Sequence, residues 1–229
     1  MSSRCWTLSP SDVAALWEEC PRCVYLEVAR GFPRPRPVPS KLVAQLDAQM
    51  KACCEGRRTE AIAADAPAGV FEDGERSVDS HVIDVHLPDT VHRCRIRGPL
   101  DAVVRLDDGG YALVAVTAGE RRPGHVAVHG RRLNACAYAL EHPAPGASAP
   151  GPITRLGVLV FEPQKFTGDA RGAGALSGGV GWVEIARDDG ALFGFLAEVL
   201  AVLERPEPPG GAALCAWCVY RDASRRTGL

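Results

Sequence analysis

Residues 97–120 read RGPLDAVVRLDDGGYALVAVTAGE. Apolar side chains recur with a period of two on both sides of DDGG (107–110), the pattern of two strands joined by a tight turn. Working outward, HVIDVHL (81–87) and HRCRIRGPLDAVVRL (92–106) read as strands before the turn, and YALVAVT (111–117) as the strand after it. A helix is expected over about 125–141, where Val126, Leu133, Ala137 and Leu140 share a face. ITRLGVLVFEP (153–163) and GVGWVEIA (179–186) follow as strands joined by the glycine-rich 168–179 segment. Asp188 or Asp189 opens a last helix striped with Leu192, Phe193, Leu196, Val199, Leu200 and Leu203, which RPEPPGG (205–211) stops.

Upstream, LSPSDVAALWEEC (8–20) opens with a helix-start signal and puts Val13, Leu16, Trp17 and Cys20 at helical spacing. GFPRPRPVP (31–39) forbids regular helix and should run extended. Ser40 can cap a second helix with Leu42, Val43, Leu46, Met50 and Cys53 on its buried face. Residues 55–80 carry no clear period. Helix, three strands, helix and strand make a mixed α/β core with helices covering the sheet. The 229 residues are expected to form a single domain: a helical part at 1–55, a core at 81–205 and a tail at 206–229.

Hydrophobic residues are 46% and charged residues 24%, the balance of a globular domain that needs no staples. The net charge of -2 announces no overall basic field, so any nucleic acid would be held by local patches. No apolar run approaches the roughly 18–20 residues of a membrane span. MSSRCWTLSPSD lacks the apolar stretch of a signal peptide, and the expectation is a cytoplasmic protein without a membrane partner. Nine cysteines in a reducing compartment are poor candidates for disulfides.

CPRC (20–23) and CAWC (215–218) are both C-x-x-C. Two such turns supply four thiolates to one tetrahedral Zn²⁺ or one iron–sulfur cluster. Nearly the whole chain lies between Cys20–Cys23 and Cys215–Cys218, so a shared site would clasp its two ends together. The competing reading is that these cysteines are small buried hydrophobes.

LSPSDVAALWEECPRCVYLE, IRGPLDAVV, GYALVAVTAG, LNACAYAL and CAWCVYRDAS occur in the order seen in PD-(D/E)XK nucleases. The chain resembles the RecB-like branch, which includes the CRISPR-adaptation exonucleases and the AddB nuclease domain. The resemblance covers nearly everything outside 55–90 and implies a restriction-endonuclease-like α-β-β-β-α-β core. Gly98 and Asp101 match the motif that supplies one carboxylate. The following acid-x-lysine motif aligns on Ala115 and Thr117, and the helical Gln-x-x-x-Tyr motif on Asn134 and Tyr138. Hydrolysis by this route needs two or more carboxylates around Mg²⁺ or Mn²⁺ and a lysine beside the attacking water. A methyl and a hydroxyl at 115 and 117 do neither job, and Asp101 alone is a weak magnesium or manganese site. Glu120, Arg121 and Glu162 are the nearest groups that could stand in. Iron–sulfur relatives follow C-x-x-C with a third cysteine, where this chain has Ser224; Cys23 restores the count to four.

Arg121, Arg122, Arg131 and Arg132 would flank the old cleft, and with Tyr138 they are candidate contacts for a nucleic-acid strand. The same arginines read equally well as solvating charge. The expectation is a degraded nuclease that binds DNA or a protein partner in DNA repair or phage defence. The rivals are an active metal-dependent nuclease with relocated ligands and an interaction scaffold without nucleic-acid binding.

Overall fold

A computed structural model describes residues 4–35, 41–74, 76–88, 90–121, 123–147, 150–168 and 172–227. The chain opens with β1 (Cys5–Leu8), α1 (Pro10–Glu19) and α2 (Pro21–Arg30), followed by α3 (Lys41–Cys54). Then come β2 (Gly69–Phe71), β3 (Arg76–Asp79), β4 (Ile83–Leu87), β5 (Thr90–Leu100), β6 (Ala102–Leu106) and β7 (Tyr111–Ala118). α4 (Pro123–Glu141), β8 (Ile153–Gly168), β9 (Gly174–Ile185), α5 (Asp189–Leu203) and α6 (Ala216–Arg226) complete it. From α3 onward the expected helix, strands, helix and strand appear in order, with β2 and β3 added in the stretch that had no period.

HRCRIRGPLDAVVRL is two strands rather than one. Its first part, β5, pairs with β1, β3 and β4 in one sheet; its second part, β6, belongs to a sheet of order β2-β6-β7-β8-β9. The chain bends between them at Asp101. Beyond that bend, β6 and β7 form the expected hairpin, with Ala102 opposite Val114. β7 and β8 are parallel, Ala115 lying opposite Val158, and parallel neighbours need a crossover, which α4 supplies.

β7 is buried on both faces. Leu113 and Ala115 join a core with Leu133, Cys136 and Ala137 of α4, while Val114 and Val116 pack with Cys54 of α3, Phe71 and Trp182. The first of these cores also takes in Trp6, Ile83 and Ile96, so one apolar cluster spans both sheets. Trp182 lies across Gly157, where a Cβ would fall 1.9 Å from its ring; a strand glycine here makes room for the indole. The last helix begins as expected, Asp188 accepting the Ala191 amide at 2.8 Å, and its leucine and valine stripe is buried.

Several expectations need correction. On α3, Leu46 and Met50 are half-buried as expected, Met50 against the core, but Leu42 and Cys53 are exposed and Cys54 is the buried cysteine. Ser40 lies outside the described residues, as does the side chain of Val43. CPRCVYLEVAR, a stretch without an expected element, continues from its turn into α2, with proline at the first helical position. The glycine-rich segment is no loose link: β8 and β9 run on through it to the Gly168–Gly174 pair. CAWC opens a helix of its own, α6. Among the described residues no helix is long and apolar enough to cross a membrane.

Candidate metal centre and the Asp101 cleft

The two C-x-x-C turns are built alike. Cys20 is the N-cap of α2 and Cys215 the N-cap of α6, so each second cysteine, Cys23 or Cys218, falls in the helix's first turn. Both pairs therefore sit at the positive ends of helix dipoles, where a thiolate is favoured. What brings these turns together lies outside them. Trp6 Nε1 donates to Glu204 at 2.7 Å, Tyr25 Oη to the Arg205 carbonyl at 3.0 Å, and Arg30 to the Pro206 carbonyl at 2.8 Å. These bonds lay the segment leaving α5 along β1 and α2 and deliver α6 to α2. Arg22 and Asp222 then join the two helices at 3.0 Å. At Gly211 a Cβ would stand 2.6 Å from Cys218 Cβ, so only glycine lets the chain pass this close.

All four thiols are buried and none is in a disulfide. Cys20 Sγ lies 3.7 Å from Cys218 Sγ; Cys23 Sγ lies 3.7 Å from Cys215 Sγ and 3.9 Å from Cys218 Sγ. The four sulfurs all fall within 4.8 Å of one another, a group that can hold a metal ion. Burial pushes the Cys20 thiol up, but the amide of Ala212, the backbone of Cys23 and the neighbouring thiols outweigh it and bring it down to about 7. Burial and the same neighbours hold Cys23 well above its ordinary value and Cys218 at about 11. The Cys20 proton is thus easily lost while those of Cys23 and Cys218 are held. The expectation that the N- and C-terminal parts meet at Cys20, Cys23, Cys215 and Cys218 holds. Of the other cysteines, Cys54, Cys94 and Cys136 are buried and Cys5 and Cys53 exposed.

Asp101 has a different environment. Its carboxylate accepts from Lys51 Nζ at 2.9 Å, from Arg132 Nη2, and from the Val116 amide at 3.4 Å. The side chain is only 14% exposed. Burial pushes its pKa up, but Arg132 and Lys51 outweigh burial and hold the carboxyl below the usual aspartate range. Lys51 also reaches Asp47 at 3.3 Å, one helical turn back. Asp47, Lys51, Glu55, Arg97 and Asp101 line an open cleft of about 900 Å³. Ala115 is fully buried against α4, and Thr117, two residues on along β7, is half-buried.

The remaining candidates are dispersed. Arg121 is bonded to Glu162 through its amide at 3.2 Å and through Nε at 2.9 Å. Arg131 pairs with Glu18 and lies over the Phe195 ring, 5.3 Å from its centre. Arg132 is the partner of Asp101. Arg122 lies outside the described residues. Asn134 bonds the carbonyls of Gly130 and Ala186 and accepts the Asp188 amide at 2.9 Å, tying α4 to the start of α5. Tyr138 stacks against His142 with ring centres 4.4 Å apart and meets Phe193 edge-on at 5.2 Å. Neither belongs to the group around Asp101. Lys51 was not singled out from the sequence. Its only local signal was Asp47 at i−4, which reads as a surface pair, and nothing in α3 says that it faces a carboxylate 50 residues away.

No family model matches the chain, and no curated protein is similar to it. Among solved structures the chain is similar to the one described as the crystal structure of SSO0001, with a TM-score of 0.50 and 12% identity. The match covers 94% of this chain and 84% of that one. At this identity the likeness is one of fold.

Proposed function

We propose that this chain is a PD-(D/E)XK-like protein with a retired cleavage site and a structural metal centre, which acts by binding DNA. The observation that carries this reading is the pairing of Asp101 with Lys51 and Arg132. A carboxylate that holds a catalytic magnesium needs further acidic partners and free lone pairs. Asp101 instead has its charge offset by two protein cations, and the buried Ala115 offers no second oxygen from β7.

The sulfur geometry favours zinc over a cluster. A tetrahedral ion with Zn–S bonds of about 2.3 Å sets its ligands about 3.8 Å apart. Three of the six separations, at 3.7 to 3.9 Å, fit that edge, and all lie within 4.8 Å. A four-iron cluster interposes iron and sulfide between its cysteines and spreads them wider. When bound, the ion would be held by Cys20, Cys23, Cys215 and Cys218 and would lock α2 to α6.

One observation favours a second reading, an active nuclease with relocated ligands. Asp47 and Glu55 share the cleft with Asp101, and Lys51 Nζ stands 2.9 Å from its carboxylate. Incubating labelled single- and double-stranded DNA with Mn²⁺ and wild type, Asp101→Asn or Asp47→Asn separates the two. The retired site predicts no cleavage by any of the three. Cleavage by wild type that both variants lose would establish the second reading. Salt-sensitive DNA binding separates both from an interaction scaffold without nucleic-acid binding.

A further inference from the structure

Beside the metal centre, α6 presents a face of mixed character. Trp217, Tyr220, Arg221 and Arg225 recur at i, i+3, i+4 and i+8, so they lie along one side of the helix. Trp217 is 39% exposed and Tyr220 71%. Opposite them, Phe32 follows the left-handed Gly31 that ends α2 and is 61% exposed. Single exposed apolar residues need no explanation, but three aromatic rings around one concavity do. They enclose a cavity of about 210 Å³ that Arg34 and Arg221 also line, with Cys23 and Cys218.

The charge around this cavity opposes that of the chain. Residues 19–35 and 212–227 together carry six arginines against three acids, whereas the whole protein is at -2. Two of the acids nearby pair with these arginines: Glu19 with Arg34 at 2.5 Å, and Asp222 chiefly with Arg22 at 3.0 Å. Arg221 lies 3.6 Å from Asp222, beyond hydrogen-bond length, and its Nε and Nη2 have no hydrogen-bond partner. Those two nitrogens are buried; the exposed cation on this face is Arg225, one turn further on, whose planar fork can meet a phosphate or carboxylate.

Flat apolar walls with an arginine-rich rim suit a ligand with a planar body and an anionic link. An unpaired nucleotide has both, since its base can stack on aromatic rings while its phosphates meet arginine. A duplex keeps its bases stacked inside and cannot offer them. The geometry points to a docking site for single-stranded nucleic acid at Phe32, Trp217 and Tyr220, beside the cysteine centre and distinct from the Asp101 cleft. It rests on the DNA-binding reading and adds to it a place and a strand form. The metal would then hold the two walls of the site, α2 and α6, at a fixed spacing.

The test is anisotropy of a fluorescein-labelled oligothymidine of about 16 nucleotides, and of a labelled duplex of the same length, titrated with metal-loaded protein. Wild type is compared with Phe32→Ala/Tyr220→Ala and with Trp217→Ala. The double variant removes only exposed rings, so its metal content and circular dichroism should match wild type. The expected result is tighter wild-type binding to the single strand than to the duplex. Each variant should then lose tenfold or more on the single strand, with duplex affinity unchanged. Single-strand affinity within twofold of wild type in the double variant overturns the site and leaves DNA binding standing. Failure of wild type to bind either probe at low salt overturns both.

Discussion

Cys20, Cys23, Cys215 and Cys218 bring four sulfur donors within 4.8 Å of one another, whereas Asp101 meets an ammonium and a guanidinium. Both places gather ligand-type side chains in a poorly solvated setting, and both must balance charge there. At the cysteine centre the donors converge on a common point, and a cation placed there would release their protons and satisfy all four. At Asp101 the counter-charge is already built into the chain. Four convergent donors make a metal centre; one carboxylate with two resident cations makes an ion pair. The difference teaches that a residue's identity as a possible ligand says little until the sign of its neighbours is known.

The comparison breaks most visibly at the cysteines. Replacing Cys20 and Cys215 together by Ser should abolish stoichiometric metal binding, because two of four ligands are gone. Structural zinc contributes several kcal/mol or more to folding. At about 2–4 °C per kcal/mol, the melting temperature should fall by roughly 10 °C or more. Metal analysis and a thermal melt with and without chelator check this. An unchanged melt would make the thiols ordinary buried side chains.

Next in size is Asp101→Ala, which leaves Lys51 and Arg132 facing each other without their carboxylate. Breaking a buried pair from one side costs about 3–5 kcal/mol, read by urea unfolding. Because the folded-state pKa of Asp101 lies below its unfolded value, its stabilisation is complete above the ordinary aspartate range. It is lost as pH falls through the folded pKa. Wild type should therefore lose stability below about pH 4 more steeply than Asp101→Asn, which has no such proton to take up. Equal slopes would mean that Lys51 and Arg132 do not hold the carboxyl.

Smaller effects sharpen the contrast. Gly211→Ala forces a methyl against Cys218 and should cost about 1–3 kcal/mol, with metal released at a lower chelator concentration. Arg131→Gln, which removes a surface pair with Glu18, should change stability by no more than about 1 kcal/mol. Its neighbour Arg132 contacts the buried carboxylate, so the adjacent arginines should differ severalfold in a urea titration.

Legibility followed the range of the interactions. The β6–β7 hairpin, the stripe of α5 and its Asp188 cap were readable because period and capping are local. The break at Asp101 was not, since Arg97–Leu106 alternates as one strand and only pairing with β3 and β2 sends its halves to different sheets. The face of α3 was misjudged at its ends for a related reason: several apolar stripes are available there, and the packed elements select the one ending in Cys54. The glycine-rich stretch looked like a link because a single strand of glycine is weak, yet β9, which carries much of it, pairs with β8 across twelve registered positions from Leu156–Ile185 to Gly168–Gly174.

By itself the sequence determined the β6–β7 hairpin, the helices α4 and α5 around it and the presence of two C-x-x-C turns. Each of these follows from neighbours within a helical turn or a strand. Only the tertiary structure decided that the two turns meet, since this depends on the segment after α5 lying along α2. Only it decided that Asp101 is paired, because Lys51 and Arg132 arrive from helices 50 and 31 residues away along the chain. Ion pairs and ligand shells are made across the fold, between side chains that carry no mark of one another in the sequence.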